Sequence, residues 1–102
     1  MSGARSDASA SAALTAARAA LAVERLLTLV DPRGRLRAVV ATGTQAQALA
    51  ALREVRQRLH GLPLVRRGGV DSALVATAEE LITARLLDER TIAEDYQDCK
   101  KR

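Results

Sequence analysis

LLTLVDPRGRLRAVV, residues 26–40, can be folded in two ways, and the choice between them decides the fold. In one reading Asp31 caps a short helix with Pro32 at its first position, and Leu36, Val39 and Val40 face inward. In the other, Leu26–Val30 and Arg35–Val40 flank a Pro-Gly turn as a β-hairpin. A lone hairpin is marginal in water, and the only third strand on offer is the short Leu62–Val65 segment. The helical reading is preferred. The expected fold is an all-α bundle of four to five helices, with an α+β fold around a hairpin at Asp31–Gly34 as the alternative.

The rest of the chain favours helices. Its 102 residues include 21 Ala, 15 Leu and 8 Val but only 2 Ile, with Tyr96 the sole aromatic. Alanine and leucine are the best helix formers, whereas strands draw on the β-branched and aromatic residues that are scarce here. Upstream, Val23, Leu26, Leu27 and Val30 share one helical face that Ala16 and Ala20 extend, predicting a helix over residues 10–30. Its small-residue stripe suits the close approach of another helix. Downstream, Thr42 with Gln45, or Thr44 alone, opens a central helix ending near His60. Leu49, Leu52, Val55 and Leu59 form its inward stripe, Glu54 pairs with Arg58, and Gly61 and Pro63 stop it.

Residues 64–69 read as a loop containing Arg66-Arg67-Gly68-Gly69. A further helix starts at Asp71 or Ser72 and runs to about Leu87, with Leu74, Ala78, Leu81, Ile82 and Leu86 inward. Thr91-Ile-Ala-Glu94 matches a capping box and predicts a separate last helix through Tyr96 toward Cys99. The domain organisation is a disordered arm over residues 1–9, one helical domain over 10–99 and a basic tail over 100–102.

Charge is segregated along this framework. Residues 32–67 carry eight arginines against one acid, and residues 71–98 carry eight acids against two arginines. The net charge of +4 conceals that division. A dipolar chain of this kind can bind an anionic partner, pair with a copy of itself, or close on itself. Part of the arginine excess follows from the coding bias that also enriches alanine.

Few function classes fit. The single histidine, His60, and the single cysteine, Cys99, lie far apart, so no Ser–His–Asp or Cys–His arrangement can be assembled and no enzyme is expected. Glu94, Asp95, Asp98 and Cys99 cluster on one helix without a histidine or second cysteine, so they read as a solvated face; neither metal nor cofactor is expected. The Arg66–Gly69 loop lacks the spacing of a nucleotide-binding loop, and Asp71 opposes a phosphate there. A lone cysteine fits a reducing compartment, no apolar run is long enough to span a membrane, and Asp7 and Glu24 argue against a transit peptide. The expected location is the cytoplasm.

Two functions remain. The favoured one is a small protein–protein interaction module, self-associating or an adaptor subunit of a complex, for which a thin core poor in aromatics argues. Its expected contacts are Arg53, Arg56, Arg66 and Arg67 on a basic side and Glu79, Glu80, Glu94 and Asp98 on an acidic one. The alternative is a nucleic-acid-binding regulator. Arg53, Arg56, Gln57 and His60 share one side of the central helix, flanked in sequence by Arg33, Arg35, Arg37, Arg66 and Arg67. The lack of aromatics argues against base stacking.

Overall fold

The helical reading of residues 26–40 holds: a computed structural model gives five α-helices, and no strand is found among the described residues. It describes the backbone of residues 2–101 and the side chains of residues 9–100. The helices are α1 (Ser2–Val30), α2 (Arg35–Thr42), α3 (Gln45–His60), α4 (Pro63–Arg66) and α5 (Ser72–Lys101). The backbone of residues 2–9, expected as a disordered arm, is part of α1; most of that arm's side chains lie outside the described residues, as do those of 101–102 in the basic tail.

The link between α1 and α2 shows why the hairpin loses. Asp31 is the one buried polar residue among those described. Its carboxylate accepts from the backbone of Leu36 (3.1 Å) and Arg37 (3.0 Å), satisfying two free donors in the first turn of α2. Asp31 therefore caps α2 from a distance. Pro32, Arg33 and Gly34 form an intervening turn rather than the helix start, and Gly34 takes φ +67°, which favours glycine. At the other side of the turn, the Arg58 guanidinium donates to the Val30 carbonyl at 2.9 Å, closing the end of α1. Asp31→Ala is expected to destabilise the domain by about 1–2 kcal/mol, read by urea unfolding, because it leaves two donors at a helix start unpaired. An unchanged midpoint would refute the cap.

Thr44, not Thr42, caps α3, and its partner is Gln47: Thr44 Oγ1 accepts from the Gln47 backbone while Gln47 Oε1 accepts from the Thr44 backbone. The predicted stripe of α3 is shifted. Leu52, Val55 and Leu59 are buried, but Leu49 is exposed and Ala48 and Ala51 take the inner positions. Alanines there let the short α2 lie close against α3. The loop predicted over residues 64–69 is partly helical, as Pro63 starts the single turn of α4.

The predicted break at Thr91 is absent. Thr91 Oγ1 donates back to the Leu87 carbonyl, and Glu94 pairs with Arg90 at 3.0 Å instead of turning to a helix start. With neither glycine nor proline between Ser72 and Lys101, nothing local stops α5, which runs for 30 residues.

The core is small: Val23, Leu27 and Val30 of α1 meet Val40 of α2, the inner face of α3, and Val75, Ile82 and Leu86 of α5. α2 is sandwiched between α3 and α5. At 1.5 Å per residue α1 and α5 are each roughly 45 Å long, so both outrun this core. The molecule measures 51 × 50 × 20 Å, flat and about as long in two directions as either long helix. Its radius of gyration is 16.7 Å, against about 13 Å for a compact domain of this length. Ser9–Arg18 of α1 and Glu94–Lys100 of α5 are exposed on all sides. The predicted inward positions Leu74 and Leu81 are also exposed.

Candidate functional site

The largest apolar concavity lies in the angle between α1 and the first half of α5. One wall is Ala22, Val23, Leu26 and Leu29 of α1, the other Leu74, Val75, Thr77, Ala78 and Leu81 of α5. Leu59 of α3, the Leu62–Val65 segment and Val70 close the end. The groove encloses about 620 Å³. Thr77 is its only polar lining residue, and the Thr77 hydroxyl donates to the Ala73 carbonyl of its own helix. The groove thus presents hydrocarbon and no free donor. This explains why Leu74 and Leu81, on the inward periodicity of α5, are not buried: they wall a groove that none of the described residues fills.

The segment that ends the groove is held in place by backbone geometry. Gly68 adopts φ +71°, and the amides of Gly68 and Gly69 return to the carbonyls of Val65 and Leu64. This turn leaves Arg66 and Arg67 exposed beside the groove, and Arg25, next to lining residue Leu26, is exposed as well. None of the three makes an ion pair among the described residues. In sequence they adjoin groove-lining residues, Arg25 before Leu26 and Arg66 and Arg67 after Val65.

A second cluster sits where α1, α2 and α5 meet. Arg37 reaches Glu24 through Nη1 (3.0 Å) and Nη2 (2.8 Å), and Glu89 through Nε (2.8 Å) and Nη2 (2.5 Å). Arg85 adds a bond to Glu24 at 2.6 Å. The hydrogen bond from Arg37 holds the Glu24 carboxyl below its ordinary range; partial burial opposes this, and the positive charges of Arg37 and Arg85 reinforce it. The two glutamates in turn hold the Arg37 guanidinium in its charged form more firmly than usual. The four side chains partner one another, so the cluster ties helices together and offers no vacancy for a ligand.

The expected contact residues are distributed between these features. Arg66 and Arg67 lie at the rim of the apolar groove. Arg56 lines a shallow furrow between α3 and α5 together with Glu79 and Glu80, and makes no ion pair among the described residues. Glu79 is half-buried with His60 Nε2 against its Oε1, an oxygen without good hydrogen-bond geometry. Arg53 is exposed on α3. Glu94 and Asp98 line a depression beside Thr42 and Gly43, where Arg90 donates to the carbonyls of Val40 and Gly43 at 2.9 Å each. Among the described residues no three His, Cys, Asp or Glu side chains gather as metal ligands would, and no helix is long and apolar enough to cross a membrane.

Sequence reasoning missed the groove, although a signal for it existed. Leu62, Leu64, Val65 and Val70 are more apolar than a surface connection needs, and Leu29 falls outside the core face of α1. The Glu24–Arg37–Arg85–Glu89 cluster left no comparable trace, since it joins residues up to 65 positions apart, Glu24 to Glu89. Compared with known protein families, curated proteins and solved structures, the chain matches none of them.

Proposed function

We propose that this chain is a protein–protein interaction module whose apolar groove takes the hydrophobic face of an amphipathic helix bearing an acidic flank. The observation that carries this reading is the groove's lining, about 620 Å³ walled by two long helices with no free polar group. A small-molecule site needs a few polar groups to orient its ligand, whereas a helix docked in a groove is held by its apolar stripe. The exposed Arg25, Arg66 and Arg67 on the rim favour a partner helix with acids beside that stripe.

The nucleic-acid reading has less support. Arg37, Arg58, Arg85 and Arg90 are engaged with carboxylates or carbonyls inside the chain. Those four are not available for the several phosphate contacts that such binding requires.

The apolar dye anilinonaphthalene sulfonate tests the groove directly. Dilute native protein is expected to bind it at a saturable site, and Leu74→Glu to weaken that binding on the order of 10-fold or more, since a charge then stands in the apolar wall. Leu74 is 63% exposed, so the substitution leaves the fold intact. Dye binding that ignores Leu74, or a duplex-DNA mobility shift persisting at about 150 mM salt, would count against this reading.

A further inference from the structure

We infer that the helix received by the groove is the C-terminal arm of α5 from a second copy of this chain, an inference that rests on the groove being a docking surface. The arm has the chemistry the groove asks for. Beyond the core, Ile92 and Tyr96 are 67% and 64% exposed. With Cys99 they follow each other at spacings of four and three, one stripe along a helix. Asp95 stands beside that stripe, exposed and without an ion pair among the described residues. It is the acidic flank that Arg25, Arg66 and Arg67 complement.

The arm cannot reach its own groove. α5 is unbroken from Ser72 to Lys101, and its first half is one wall of the groove while its last third points away from it. A straight helix does not fold back onto itself, so the occupant comes from another molecule. Symmetry then does the rest. Leu74, Ala78 and Leu81 lie on the same side of α5 as Ile92, Tyr96 and Cys99. An exchange in which the arm of each copy enters the groove of the other is closed by a two-fold axis, as an isologous interface is. The same exchange covers apolar surface that an extended chain with a 16.7 Å radius of gyration leaves open.

Sedimentation velocity on the full chain and two variants tests the exchange. Leu74→Glu disables the groove and Tyr96→Glu disables the arm; both positions are exposed, and far-ultraviolet circular dichroism verifies that helicity is retained. Wild type is expected to be a dimer, and each variant to dissociate at least about 30-fold more readily, as loss of a central apolar anchor does. An equimolar mixture of the two is expected to regain dimer, because the intact arm of one variant fits the intact groove of the other. A wild type monomeric at several hundred micromolar, a variant as dimeric as wild type, or a mixture no more associated than its components each overturns the inference. If the monomeric wild type still binds the apolar dye in a Leu74-dependent way, only the second copy is ruled out. If dye binding ignores Leu74, the groove reading falls as well.

Discussion

Replacing Leu86 by alanine is expected to lower the stability of the domain by about 3–5 kcal/mol, the largest effect of any single truncation. Leu86 is 0% exposed on α5, and with Ile82 it forms the centre against which Val40 and the inner faces of α1 and α3 pack. Neighbours can collapse into the resulting void only if α2 shifts, but α2 is pinned at one end by Asp31 and at the other by Arg90. The cavity therefore persists and its full cost is felt. A domain of this length is stable by about 5–15 kcal/mol in all. The thermal midpoint should fall by at least about 15 °C. A fall of a few degrees would mean that the four-helix junction around Leu86 does not hold the molecule together.

The second large effect is expected at Arg37. Arg37→Met removes the cation shared by Glu24 and Glu89 and leaves two carboxylates near each other with only Arg85 against them. The side chain of Arg37 is 33% exposed, which places the loss between that of a surface pair and that of a buried one, about 2 kcal/mol near neutral pH. The pH dependence has a definite sign. The Glu24 carboxyl is lowered in the folded state, so its contribution is present above its unfolded pKa, ordinarily about 4.5. It is lost as the pH falls through the lower folded value. Arg37 itself stays charged throughout and adds no slope in acid. Urea unfolding should thus show wild type and Arg37→Met well separated near neutrality and converging as both are taken below about pH 4. Parallel curves across that range would mean that the carboxylates do not supply the difference.

Much of the fold was legible because it is local. The spacing of Val23, Leu27 and Val30, the Leu52–Val55–Leu59 stripe, and Ile82 with Leu86 each report a helix face that is in fact buried. The Glu54–Arg58 pair on α3 forms at 3.1 Å. The misreadings have a common physical origin. Thr91 and Glu94 carry the residues of a helix start, but a start also needs a break before it, and the preceding Leu87–Arg90 turn has none. Leu74 and Leu81 have core periodicity because they do form an apolar wall; periodicity cannot say whether the chain itself fills the space in front of it. The charge blocks were visible, but not their internal use. Arg58 and Arg90 close helix ends across 28 and up to 50 positions, and Arg37 joins the acidic third to the basic middle.

What the division of charge means has become more specific as a result. Its central members, Arg37 with Glu24 and Glu89, are consumed in holding the helices together. Of the remainder, Arg66 and Arg67 sit beside the apolar groove and Asp95 beside the apolar stripe of the α5 arm. Both places combine exposed hydrocarbon with unpaired charge, and the charges are opposite.

Methyl-resolved NMR across a dilution series tests most directly the claim that these two surfaces meet. The methyl signals of Leu26, Leu29, Leu64, Leu74 and Ile92 should shift together as concentration rises, with one common midpoint, while those of Leu86 and Val40 stay fixed. Signals of the groove and of Ile92 that remain unchanged over the series, or that move with unrelated midpoints, would contradict it.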